Sequence, residues 1–158
     1  MSRYAARLGA VFYILWGLLH VVGGAALTVI ATSGDVTGAL AALGSARPAT
    51  AIPADPGSLV GGVVAFHGWN ILWIGLLVIV VAARWTWRNE RLGFWLPLAL
   101  VAIADAGLLT FLLVPGEMAW VDGIWGPILF IPALLLTALG RREPLAAPSR
   151  TPARVASA

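Results

Sequence analysis

A chain of 158 residues in which 60% are hydrophobic and 11% charged has about half the charged share of a soluble domain, and no water-soluble core of that size could hold so much apolar surface. The lack of cysteine excludes disulfides, thiolate metal sites and iron–sulfur clusters. The net charge of +3 rests on ten basic residues, all arginine. They fall in short groups at the ends of apolar runs, which excludes a nucleic-acid-binding patch and matches the flanks of membrane helices.

Arg3 and Arg7 precede the first apolar run, from about Leu8 to Ala31. Its apolar stretch exceeds the roughly 7–15 residues of a signal peptide and no A-x-A site follows promptly, so it reads as a retained helix. An outer loop, 32–57, is rich in Ala, Gly, Pro, Ser and Thr. Within it Val36 to Ala46 can form a short helix over the outer mouth of the molecule, before Pro48, Pro53 and Pro56 break the chain. The second run covers 58–83, and Arg84, Arg88 and Arg91 fill the link to the third, 92–114. The fourth run covers 120–139; Pro127 and Pro132 are expected to kink it, and Pro97 falls in the third. Neighbouring groups must then satisfy the carbonyls that the prolines free. The tail, 143–158, mixes Pro, Ala, Ser and Arg and reads as disordered.

Each run is about 20 residues or more, enough to cross a ~30 Å hydrocarbon core as a helix. The predicted fold is therefore all-α, an integral membrane, up-and-down four-helix bundle over residues 1–142. Of the ten arginines, only Arg47 lies on the side opposite the others, which puts both termini and the middle link in the cytoplasm. The acids Asp35, Asp55, Glu117 and Asp122 fall on the outer side. Abundant Ala, Gly and Arg without Lys points to a bacterium, and so to its plasma (inner) membrane. Trp85, Trp87 and Trp95 at one boundary and Trp120 and Trp125 at the other form interfacial belts, whereas Trp16, Trp69 and Trp73 lie inside the runs. The bilayer is the expected partner, with further copies of the chain or other membrane subunits beside it and no nucleic acid.

The chemistry-bearing side chains are few. His20, His67 and Asp105 are the two histidines and the one carboxylate deep inside the predicted helices, and Asn70 lies one turn after His67. Counted from the outer ends of the runs, the three lie roughly 14–16 Å deep, near one midplane level. An unpaired charge there costs at least about 2.5 kcal/mol, so the three are expected to face inward and meet each other or a shared guest. Around His20, helical spacing collects Tyr13, Trp16, Gly17, Gly23, Gly24 and Leu27 on one face, whereas Asp105 stands alone among leucine, valine and alanine.

Four readings follow. His20 and His67 could be axial ligands of a b-type haem, with Gly17, Gly23, Gly24 and Gly68 giving room and Trp16, Trp73 and Asn70 close by. His20, His67 and Asp105 could bind a divalent metal. The trio could hold a proton or a lipophilic substrate, with Asp105 as the catalytic or proton-carrying group, as in membrane redox chemistry or a small proton-coupled transporter. Or the polar contacts only join helices in a non-catalytic membrane subunit. Phosphate-binding glycine loops and a G-x-S-x-G nucleophile are absent.

Overall fold

The computed structural model describes residues 2–46 and 59–141. Arg47, the prolines at 48, 53 and 56, and the tail predicted to be disordered lie outside these residues. Among them the chain is helical, apart from turns and an isolated bridge between Ser45 and Met118. Helix α1 covers Ser2–Thr32, α2 Val36–Ala42, α3 Leu59–Val81, α4 Arg91–Leu108, α5 Trp120–Gly123 and α6 Trp125–Arg141. Wide π-helical turns extend α3 over Ala82–Thr86 and α4 over Leu109–Leu113.

Three helices, Arg3–Thr32, Leu59–Thr86 and Arg91–Leu113, are long and apolar enough to cross a membrane, and Trp125–Arg141 is apolar but shorter. Their outward faces expose Leu15, Val22, Phe66, Val80, Ile103, Phe111, Ile131 and Leu135, which suits hydrocarbon as the surrounding medium. This is a membrane protein.

The helices differ from the predicted runs where polar or cyclic residues intervene. Helix α1 begins ahead of its apolar run, since the residues around Arg3 and Arg7 carry no breaker. The loop helix is shorter than expected, Val36–Ala42; Asp35 caps it by accepting from the Gly38 amide at 2.7 Å. The fourth run is not one kinked helix but two, separated at Ile124. Pro127 falls in the first turn of α6, where its missing N–H is tolerated, so the break precedes it.

Glycine spacing fixes how α1 and α3 meet. Gly17 and Gly24 are seven residues apart, as are Gly68 and Gly75. In antiparallel order Gly17 lies on Gly75 and Gly24 on Gly68. A Cβ added at Gly17 would come 2.7 Å from the Gly75 carbonyl oxygen, and one at Gly24 2.7 Å from the Leu72 nitrogen. Small residues at this spacing let two backbones touch. Thr28 reinforces the contact, its hydroxyl donating to the Gly24 carbonyl at 2.7 Å and lying 3.5 Å from that of Ala65. On its other side α1 runs antiparallel to α6, with Gly9 against Ala133 and Thr137. Ala10, Tyr13, Trp16, Val78, Ala82, Val101 and Ala133 form a core drawn from all four apolar helices.

Both ends are tied by polar contacts. Pro97 cannot donate to the Gly93 carbonyl one turn back, and the buried Thr86 hydroxyl donates to that carbonyl instead. This satisfies the freed acceptor and closes the α3–α4 hairpin. Asn89, in the left-handed region at φ 59°, donates from Nδ2 to the Gly140 carbonyl at 2.9 Å, capping the end of α6. At the far end α2 packs on α1 and α3. There the Ala46 amide donates to Glu117 O at 3.0 Å and the Ala119 amide to Gly44 O at 3.1 Å.

Two substitution pairs test this account. Gly24→Ala should lower stability in detergent by about 1–3 kcal/mol through overpacking, whereas Gly23→Ala, whose Cβ would meet nothing within 4 Å, should be neutral or stabilising by up to ~1 kcal/mol; equal melting temperatures for the two variants would refute the close approach. Thr86→Val should cost about 1–3 kcal/mol by orphaning a buried carbonyl, and Thr86→Ser should retain most of that stability.

Candidate functional site

The helical face drawn around His20 is largely the inner face of α1. Tyr13, Trp16, Gly17, Gly24 and Leu27 are buried, His20 is half-buried, and Gly23 is exposed. Trp16 lies near the middle of the 31-residue helix and is fully buried. Its indole N–H donates to Asp105 Oδ1 of α4 at 3.2 Å. Asp105 is only 4% exposed, and its second oxygen, Oδ2, is buried with no hydrogen-bond partner.

Gly126, in the first turn of α6, covers this pair. A Cβ there would stand 2.9 Å from Asp105 Oδ1 and 3.5 Å from Trp16 Nε1, so the missing side chain lets α6 close over the carboxyl. The His20 ring stacks on the Trp16 ring, with centroids 3.6 Å apart and planes 19° from parallel. His20 Nδ1 lies 2.8 Å from the Trp16 carbonyl oxygen. A carbonyl can only accept, so Nδ1 carries the proton, and in the neutral ring Nε2 is left as the acceptor. His20, Trp16 and Asp105 thus form a continuous row from the half-buried side of α1 to the core. Tyr13 completes the inner face one turn away, its buried hydroxyl likewise without a hydrogen-bond partner.

The structure does not bring His67 into this row. His67 is exposed on α3, on the outward side with Phe66 and Trp69. Where Gly17 faces Gly75 and Gly24 faces Gly68, His67 comes level with about residue 25 of α1, some five residues or ~8 Å beyond His20. Counted from the helix ends at Thr32 and Leu59, His20 lies 12 residues in (32 − 20) and His67 eight (67 − 59), so the equal depths expected from the sequence do not hold. Asn70 and Trp73 also belong elsewhere. Trp73 Nε1–H donates to Asn70 Oδ1 at 3.0 Å, and Asn70 Nδ2 donates to the Phe66 carbonyl at 2.9 Å, a local pair on α3.

Two consequences bear on cofactors. Of the glycines expected to make room for a porphyrin between the histidine-bearing helices, Gly17, Gly24 and Gly68 are occupied by the α1–α3 backbone contact, and Gly23 is exposed outside it. Among the described residues, no group of three or more His, Asp or Glu side chains is arranged to hold a metal ion. Gly126 is the site residue that sequence reasoning did not find. A Gly-Pro pair at the start of an apolar run signals a helix start, and nothing local says which neighbour approaches it.

Comparisons with models of protein families, with characterised protein sequences and with solved structures give no match for this chain.

Removing the indole donor should expose the coupling. Trp16→Phe leaves both Asp105 oxygens unsatisfied and should cost about 1–3 kcal/mol beyond the lost packing. In an Asp105→Leu background the same change should cost less, with a coupling of about 0.5–3 kcal/mol in a double-mutant cycle. Additive losses in detergent unfolding would show that the two side chains do not interact.

Proposed function

We propose that this chain is a four-helix inner-membrane protein of a bacterium, with both termini cytoplasmic, in which Asp105 takes up and releases a proton near the middle of the bilayer as the working group of a small proton pathway. The observation that carries this reading is the Asp105 carboxyl, buried among apolar helices with one oxygen held by Trp16 and the other unpartnered. A helix-joining hydrogen bond needs only one neutral acceptor, which asparagine supplies without an ionisable group. An ionisable side chain within a membrane span is costly and marks function by default.

Depth supports the same reading. Arg3, Arg7, Arg84, Arg88, Arg91 and Arg141 are all exposed where the α1 start, the α3–α4 link and the α6 end meet, as a cytoplasmic boundary requires. Trp16 lies nine residues along α1 from Arg7, about 14 Å at 1.5 Å per residue and close to half of a ~30 Å core. On the same scale His67 falls about 27 Å from that boundary, at the opposite headgroup region, where an exposed imidazole is tolerated. Helix α6 is short of a full span by itself, and α5 supplies the remaining turn.

A second reading, that Asp105 only joins α1 to α4 in a non-catalytic membrane subunit, is favoured by the Trp16 hydrogen bond. Asp105→Asn separates the two, since it keeps the acceptor and removes the titrating group. Purified protein in phospholipid vesicles, driven by a potassium diffusion potential and followed by a trapped pH dye, should carry protons faster than protein-free vesicles. Asp105→Asn should bring the rate to within about twofold of that background with an unchanged melting temperature, the loss expected when the proton-transferring group itself is removed. Wild-type flux equal to that of empty vesicles, or a variant as active as wild type, would leave the structural reading standing.

A further inference from the structure

The arginine end of the molecule carries more than a topological signal. Among the described residues Glu90 is the one acidic residue at this end, and none of the six arginines there is in an ion pair. Two of them are held differently from the other four. Arg7 of α1 reaches across to the α3–α4 link, its Cζ 5.6 Å from the centroid of the Trp87 ring. Arg141 at the end of α6 reaches across to α4, its Cζ 4.8 Å from the centroid of Phe94. Each guanidinium thus bridges two elements while its charge stays exposed.

The chemistry of that pose is specific. A guanidinium on an aromatic ring uses its flat face and keeps the N–H fork at its edge free. The fork matches two oxygens of a phosphate, and a side chain already immobilised on a ring loses less freedom when it binds. Beside these positions lies lipid-facing apolar surface: Leu8 and Val11 on α1, Leu92 and Trp95 on α4, and Leu139 on α6 are all exposed. A ligand that fits both halves has a phosphate head and hydrocarbon tails. In the sequence nine arginines stand against Glu90 and Glu143 at this end, so a head carrying a compensating choline or ethanolamine cation is disfavoured.

We propose that Arg7 and Arg141 are headgroup anchors for anionic phospholipid, each binding the phosphate while the acyl chains lie along the neighbouring helices. This rests on the membrane-spanning reading but not on the role of Asp105. Native mass spectrometry of the detergent-purified protein, titrated with phosphatidylglycerol and phosphatidylcholine of identical chains, tests it. Wild type should retain phosphatidylglycerol at least about fivefold better, the scale expected for one basic residue at a lipid surface. Arg7→Gln with Arg141→Gln should abolish that preference. Arg3→Gln with Arg84→Gln removes the same charge from arginines with no aromatic partner and should leave most of it.

Equal loss in the two double variants would mean diffuse attraction and would overturn the proposal, as would absence of preference in the wild type. Binding of inorganic phosphate or of deacylated headgroup as tight as that of the lipid would identify a free-anion site and would also overturn it. Retention of each variant in alkaline-washed membranes, with its melting temperature, separates loss of the anchors from misfolding or from failure of the membrane-spanning reading.

Discussion

The contact on which the rest of the molecule depends is the glycine pairing of α1 with α3. Gly17 on Gly75 and Gly24 on Gly68 bring two backbones together without side chains between them. In lipid there is no hydrophobic gain from hiding one apolar side chain against another, so close van der Waals packing and satisfied polar groups must hold helices together. The seven-residue repeat on both partners sets register as well as distance, because a slide of about one helical turn would place His20 or Ile71 where a glycine is needed. With α3 fixed on one side, the face of α1 carrying Tyr13 and Trp16 is directed at α4 and α6.

Asp105 follows from that placement. Helix α4 offers mostly apolar side chains to its neighbours, and the indole of Trp16 is the donor that gives its carboxyl a fixed position. Gly126 then determines how closely α6 can come. Three helices therefore define one carboxyl through one hydrogen bond, one missing side chain and one stacked imidazole. The second oxygen, enclosed without a donor, is the unspent part of the arrangement, and it distinguishes an ionisable group from the neutral acceptor that helix joining alone would require.

Much of this was legible in the sequence, and the parts that were not share a cause. Apolar run length revealed the helices, and arginine grouping gathered the ends that the structure brings together. The spacing around His20 found the inner face of α1, because a 3.6-residue period is local information. The break at Ile124 was missed because Pro127 was read as a kink within a helix, when proline sits comfortably in a first turn. His67 was drawn into the site by a depth count, although its outward direction depends on which face of α3 carries the glycines. Gly68, its immediate neighbour, held that answer: a glycine that seats one helix on another turns the adjacent residue away. The approach of Gly126 to Asp105 is a tertiary fact with no local signature.

Helix α6 begins at the depth of Trp16, since Gly126 in its first turn lies beside that indole. The molecule is accordingly built as two unlike storeys. Below the carboxyl, four helices stand side by side down to the arginines; above it, α1, α3 and the end of α4 enclose the space with short α2, α5 and the clasp between residues 44–46 and 117–119. A wall made of continuous helix opens only by moving the whole rod, whereas a wall closed by a few turn hydrogen bonds can part locally. Among the described residues, the side of Asp105 facing α2 and α5 is therefore the more easily parted of the two, and that asymmetry is set by where one helix starts.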